Sequence, residues 1–81
     1  MHRGGALALV TSAELSKLAG VSLSTIHYYT ALGLLRARGR AGNRRLYRVR
    51  EAKLRLHRIS RLRQQGYSLA LILRTVGRNG A

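Results

Sequence analysis

Side chains that can form versatile polar contacts are concentrated in residues 22–30, which read SLSTIHYYT. This stretch carries hydroxyls, an imidazole and two phenol rings but no carboxylate, so it can donate and accept hydrogen bonds without negative charge. An enzyme would need an acid, a base or a nucleophile placed beside a group that tunes it. The whole chain has two acidic residues, three histidines and no cysteine. We therefore expect a binding protein that is not an enzyme, with no metal and no cofactor.

The charge of the chain indicates what it binds. There are 16 Lys+Arg residues against two acidic residues, which gives a formal net charge of +14. A compact domain with this much uncompensated charge repels itself, so a polyanionic partner is the simplest explanation. Nucleic acid is the first candidate. An anionic membrane surface is the second candidate. No membrane partner is expected, however, because the basic helix expected before Gly66 carries no large aromatic anchor on its apolar face.

Short helices must position the polar stretch. Thr11 and Glu14 have the spacing of a capping box, and the apolar spacing predicts a first helix over residues 12–18, capped by Thr11 or Ser12 and followed by a turn at Gly20. Ser22 then caps a second helix over residues 22–31. Two short helices joined by a turn that contains glycine form a helix-turn-helix pattern.

The apolar spacing predicts the buried faces of the helices. In the first two helices, the residues expected to face the core are Leu15, Leu18, Val21, Ile26 and Tyr29. A third helix of about 15 residues ends before Gly66. Its expected apolar face is Ala52, Leu56, Ile59 and Leu62, and that of a fourth helix after Ser68 is Leu69, Ile72, Leu73 and Val76. The other face of the third helix is basic and carries Lys53, Arg55, Arg58, Arg61 and Arg63. Exposure to solvent and contact with an anion explain this face equally well.

The segment between the second and third helices predicts a hairpin. Residues 34–38 and 45–48 are the expected strands, and residues 39–43 supply loop chemistry through two glycines and an asparagine. Residues 1–10 are expected to form a flexible arm, and residues 78–81 a short tail. The predicted domain is therefore residues 11–77.

Taken in order, these segments resemble the N-terminal DNA-binding domain of the MerR family of bacterial transcription regulators. The resemblance lies in the Gly20-Val21 turn, the Tyr28-Tyr29 pair, the Gly33-Leu34-Leu35 exit, the Arg45-Leu46-Tyr47 run and the Gly66-Tyr67-Ser68-Leu69 motif. It covers roughly residues 10–76, and several motifs in one order are far more specific than one short pattern. The resemblance implies a mainly α fold, a winged helix-turn-helix with four helices and a two-stranded wing.

The resemblance also implies which residues contact DNA. The second helix would meet the major groove through Ser22, Ser24, Thr25, His27 and Tyr28. The wing would contact the phosphate backbone through Arg40, Asn43, Arg44, Arg45 and Tyr47. Further candidates for phosphate contacts are Lys17, Arg36, Arg38 and Arg58.

The implied partner is double-stranded DNA, bound by a homodimer at an inverted repeat, with RNA polymerase engaging the distorted promoter. The sequence departs from the family pattern at His27, where arginine is usual, and at Thr30, where an acid is usual. No heptad repeat for a dimerising coiled coil follows the fourth helix. Two interpretations stay open: an excised DNA-binding domain, or a minimal protein with its own mode of assembly.

The expected function is sequence-specific binding of duplex DNA in transcription regulation. The alternative is an architectural protein, similar to phage excisionases of this fold, that assembles head-to-tail on DNA. A basic RNA-binding protein is a third possibility, although four tyrosines without Phe or Trp make a thin stacking platform for single strands. The expected location is the cytoplasm, on the nucleoid.

Overall fold

The computed structural model describes residues 8–77, which form four helices and one antiparallel sheet. In chain order the elements are β1 (Leu9–Thr11), α1 (Ser12–Ala19), α2 (Leu23–Leu32), β2 (Gly39–Ala41), β3 (Arg44–Arg48), α3 (Val49–Gln64) and α4 (Leu69–Ile72). The last helix continues into a π-helical turn, Leu73–Gly77. The predicted mainly α architecture is confirmed, but the sheet has three strands in the order β1-β3-β2 rather than two.

The additional strand comes from the residues directly before α1. Leu9 lies opposite Arg48 and Thr11 lies opposite Leu46, so β1 pairs with the central strand β3. The predicted flexible arm is thus corrected at residues 9 and 10, while residues 1–7 and the predicted tail lie outside the described residues. Three residues are too few for the alternation of polar and apolar side chains to reveal a strand.

The hairpin, defined as β2 and β3 with their turn, begins later than predicted. Only Gly42 and Asn43 separate Ala41 from Arg44, and Ala41 and Arg44 are paired across the two strands. Residues 34–38, predicted as a strand, instead form a connector between α2 and β2. The reason is that Leu34 and Leu35 are both buried in the core, whereas a strand would turn them to opposite faces.

Local hydrogen bonds fix both helices of the helix-turn-helix. The Glu14 backbone N–H donates to Thr11 Oγ1 at 3.2 Å, and the Thr11 N–H donates to the Glu14 carboxylate at 2.8 Å. The predicted capping box is therefore confirmed. The Thr25 N–H donates to Ser22 Oγ at 3.0 Å, which caps α2. At Gly33 the backbone takes φ +89°, in the left-handed region that ends helices, and it turns the chain into the connector.

The core has two clusters that meet at the connector. The first contains Leu15, Ile26, Leu35, Tyr47, Ala52 and Leu56, and the second contains Leu34, Ile59, Ile72 and Val76. The neighbours Leu34 and Leu35 thus enter different clusters, and Tyr29 packs against both. The predicted inward position of Leu18 is wrong, since its side chain is 52% exposed. In α1 the inward stripe consists of Leu15 and Ala19, one turn apart.

Candidate nucleic-acid interface

Helix α2 exposes most of the polar residues that the sequence singled out. Ser22, Ser24, His27 and Tyr28 are exposed, while Ile26 is fully buried and anchors the opposite face. Thr25 is half-buried, and its hydroxyl lies 2.7 Å from Ser22 Oγ. The hydroxyls of Ser22 and Thr25 are therefore both engaged at the cap, whereas Ser24, His27 and Tyr28 present exposed side chains to a ligand.

The two adjacent tyrosines of α2 divide between the surface and the core. Tyr28 is 54% exposed, and Tyr29 is half-buried against both core clusters. Their ring centroids lie 6.2 Å apart with the planes tilted by 38°. Aromatic pairs at this separation attract one another. The pair thus extends from the core to the surface of α2.

The tip of the hairpin is a cluster of exposed cations. The cations Arg40, Arg44 and Arg45 are exposed, as is the uncharged Asn43 beside them, and Arg40 lies directly opposite Arg45 across the two strands. Like charges in this position destabilise a hairpin. Glu14 is engaged in the cap of α1, and Glu51 binds Arg38. No glutamate is thus placed to relieve the repulsion, which an anionic ligand would relieve.

An open cleft brings α2 and the hairpin tip together. It is lined by Leu23 and His27 of α2, by Asn43, Arg44 and Arg45 of the hairpin, and by Thr11, Ser12 and Ala13 at the start of α1. No carboxylate is among these lining residues. The sequence did not predict the contribution of α1 or of Leu23. The capping box marks the start of α1, where the helix dipole is positive, but it does not reveal which way that end points.

Tyr47 is corrected from a surface residue of the wing to a core residue. Its side chain is 0% exposed, and its hydroxyl lies 2.8 Å from Thr30 Oγ1. Thr30 donates to the Ile26 carbonyl oxygen, so Tyr47 donates to Thr30. Because side chains alternate along a strand, Tyr47 faces inward while its neighbour Leu46 faces outward. The Tyr47–Thr30 hydrogen bond therefore ties the hairpin to α2.

The remaining cationic candidates are spread over several elements. Lys17 is exposed in the last turn of α1, Arg36 is exposed in the connector, and Arg58 is exposed on α3. None of the three lines the cleft between α2 and the hairpin. Their predicted phosphate contacts stay predictions, and any such contacts would lie outside the cleft.

Arg38 and Arg55 differ from the tip arginines because both have partners within the protein. Arg38 donates from Nε to Glu51 Oε1 at 2.9 Å, and its Nη2 donates to Glu51 Oε2. These hydrogen bonds raise the pKa of Arg38 and lower the pKa of Glu51. Arg55 donates to the Leu34 carbonyl oxygen at 2.9 Å, and burial lowers its pKa. Because Arg55 is half-buried and bonded to the backbone, it is not part of an outward-facing basic surface.

Within residues 8–77, no three histidine or acidic side chains come together as a set that could hold a metal ion. Over the same residues, no helix combines the length and the apolar character needed to cross a bilayer.

The chain is similar in sequence to one protein family and to curated proteins. Residues 10–76 match the family described as MerR HTH family regulatory protein. The nodulation protein NolA of Bradyrhizobium diazoefficiens is 43% identical over 60 residues, 73% of this chain and 25% of the relative. The protein of the same name from Bradyrhizobium elkanii is 44% identical over 57 residues, 69% of this chain and 26% of the relative. The chain thus spans about a quarter of the length of these curated relatives. No solved structure matches the chain significantly.

Proposed function

The chain belongs to the MerR HTH family of regulatory proteins, and on that premise we propose that it binds double-stranded DNA and regulates transcription. In the proposed complex, α2 lies in the major groove and the hairpin contacts the adjacent phosphate backbone. The observation that carries this proposal is that His27 of α2 and the hairpin residues Asn43, Arg44 and Arg45 line one open cleft. A major groove about 12 Å wide admits a helix, and arginines beside it then meet phosphates.

The exposed residues of α2 divide into two proposed roles. Ser24, His27 and Tyr28 project from the helix and are proposed to contact base edges, which confer sequence preference. Ser22 and Thr25 share a hydrogen bond at the N-terminus of α2. There they are proposed to meet a phosphate, since helix N-termini favour anions.

The tip arginines supply the sequence-independent part of the proposed affinity. Arg40 and Arg45 face one another across the strands without a carboxylate between them. A phosphate beside this pair would offset the repulsion, so binding should also stabilise the hairpin. Each phosphate neutralised releases counterions, and the affinity should therefore fall steeply with salt.

The proposed assembly is two protomers on an inverted repeat, with RNA polymerase engaging the same promoter. The test is a salt titration of binding to a duplex selected from a random pool and to an unselected duplex, with stoichiometry from light scattering. Two protomers on the selected duplex would support a promoter-type regulator. Unselective binding with growing stoichiometry would favour the architectural alternative, and tighter binding to single-stranded RNA would overturn duplex binding.

A variant of α2 tests the proposed contact with base edges. Tyr28→Ala should weaken binding to the selected duplex by roughly 1–3 kcal/mol and change binding to the unselected duplex less. Tyr67→Ala is the matched control, since Tyr67 is also an exposed tyrosine but lies outside α2. Equal losses on both duplexes would remove Tyr28 from base recognition.

A further inference from the structure

The connector between α2 and β2 is held at both ends by one edge of α3. At its start, Arg55 Nη1 donates to the Leu34 carbonyl oxygen at 2.9 Å. At its end, Glu51 accepts two hydrogen bonds from Arg38, one of them 2.9 Å long. Glu51 and Arg55 are four residues apart and therefore lie on the same side of α3. A single turn of α3 thus binds both ends of the connector.

The two bonded residues, Leu34 and Arg38, also adjoin the two elements proposed to contact DNA. Leu34 directly follows Gly33, where α2 ends, and the Leu34 N–H donates to the Tyr29 carbonyl oxygen at 2.8 Å. Arg38 directly precedes β2, and its N–H donates to the Leu46 carbonyl oxygen at 2.7 Å. A shift of either point would therefore move α2 or the hairpin.

The surroundings of the two contacts favour a role in positioning. Leu34 and Leu35 belong to the connector and are buried in the core, so the connector can move only if the core repacks. Arg55 is half-buried, and burial lowers its pKa. A cation in this place is costly unless its hydrogen bonds are satisfied, and the Leu34 carbonyl oxygen accepts one of them.

We propose that Glu51 and Arg55 of α3 are positioning residues that set the placement of α2 relative to the hairpin for DNA binding. This inference rests on the proposed function. It assigns a favourable role in DNA binding to Glu51, one of only two acidic residues in a chain with a formal net charge of +14. The rival view is that Arg38 contacts a phosphate directly and that Glu51 merely competes with that phosphate.

The two views predict opposite signs for Glu51→Gln. Simple electrostatics predicts tighter binding to every duplex, because the variant has one negative charge fewer. The positioning role predicts binding to the selected duplex about three- to fivefold weaker, since the ion pair between Glu51 and Arg38 at the start of β2 is lost. Glu14→Gln is the matched control, because it removes the same charge while glutamine still fits a capping box. It should not weaken binding.

A double variant separates charge from geometry. Arg38→Glu combined with Glu51→Arg keeps the net charge and allows the ion pair to form in reverse. It should recover most of the affinity that Glu51→Gln loses. If Glu51→Gln binds the selected duplex as tightly as the natural chain or more tightly, the positioning role is overturned.

A measurement without DNA tests the positioning separately from the proposed function. The chain has no cysteine, so Ala31→Cys on α2 and Ala41→Cys on β2 allow two spin labels to report one distance. Glu51→Gln should broaden the distance distribution, Glu14→Gln should leave it narrow, and melting curves should confirm that both variants are folded. An equally narrow distribution in Glu51→Gln would overturn the positioning role. Absence of duplex binding by the natural chain would overturn only the proposed function.

Discussion

The tip of the hairpin and its base, where Arg38 directly precedes β2 and Tyr47 lies near the end of β3, use arginine in opposite ways. At the tip, Arg40, Arg44 and Arg45 are exposed and have no carboxylate beside them. At the base, Arg38 is bound by Glu51, and Tyr47 is buried against Thr30. An arginine whose partners are inside the protein fixes geometry, whereas one without them is suited to an external anion. The partners of each arginine, rather than the density of arginine in the sequence, distinguish the two functions.

The largest expected effect concerns the core on which the base rests. Ile26 is fully buried in the same cluster as Tyr47, so Ile26→Ala should lower the free energy of unfolding by roughly 2–5 kcal/mol. Leu18→Ala is the control, since that exposed leucine should change stability by less than about 0.5 kcal/mol. Chemical denaturation of both variants measures the difference. Equal effects would mean that the assignment of the inward faces is wrong.

The next expected effect is at the tip and should appear in DNA binding. Arg44→Ala should weaken binding to every duplex and reduce the slope of log affinity against log salt by about one unit. Its melting temperature should stay close to that of the natural chain, because Arg44 is exposed. Arg74→Ala removes an exposed arginine outside the hairpin and serves as the control. An unchanged salt slope for Arg44→Ala would overturn the proposed contact between Arg44 and a phosphate.

Tyr47→Phe should have a smaller effect, mainly on stability. The variant removes the hydroxyl that donates to Thr30, which should lower the free energy of unfolding by about 1 kcal/mol. Because the side chain is buried and cannot contact a phosphate, the salt slope of DNA binding should not change once both proteins are folded. A lower salt slope in this variant would instead support the original prediction that Tyr47 contacts DNA.

The smallest expected effect is the pH dependence that the ion pair at the base contributes. The hydrogen bond from Arg38 lowers the pKa of Glu51 in the folded state. Its contribution to stability should therefore be complete above the ordinary glutamate pKa of about 4.3 and be lost as pH falls through the lowered value. The stability difference between the natural chain and Glu51→Gln, measured by denaturation from pH 7 downward, should shrink across this range. A constant difference would indicate another origin.

The helix-turn-helix could be predicted because its signals are local. Thr11 with Glu14, Ser22 and the two helix-ending glycines each act within one turn of a helix. The inward faces of α3 and α4 followed in the same way from apolar spacing. Such features depend on neighbours three or four residues away, which a sequence displays directly.

The sheet and the partners of individual side chains could not be predicted in this way. Strand β1 exists because β3, far along the chain, offers it a ladder of hydrogen bonds. Tyr47 could be assigned to the core only from the register that turns it toward Thr30. Arg38 and Arg55 looked like further surface cations because Glu51 and the Leu34 carbonyl oxygen are brought to them by folding. The side chains that contact DNA remain a prediction from the resemblance and from exposure.

Strand β1 also has a mechanical consequence. Thr11 is both the last residue of β1 and the N-cap of α1, so no linker separates the sheet from the helix-turn-helix at this joint. We expect a force that bound DNA exerts on the hairpin to pass along β3 and through the hydrogen bonds between β3 and β1. From β1 it would reach the first turn of α1 directly. A DNA-binding module grafted onto another protein should therefore retain residues 9–11, because a cut at Ser12 would remove both the joint and the cap.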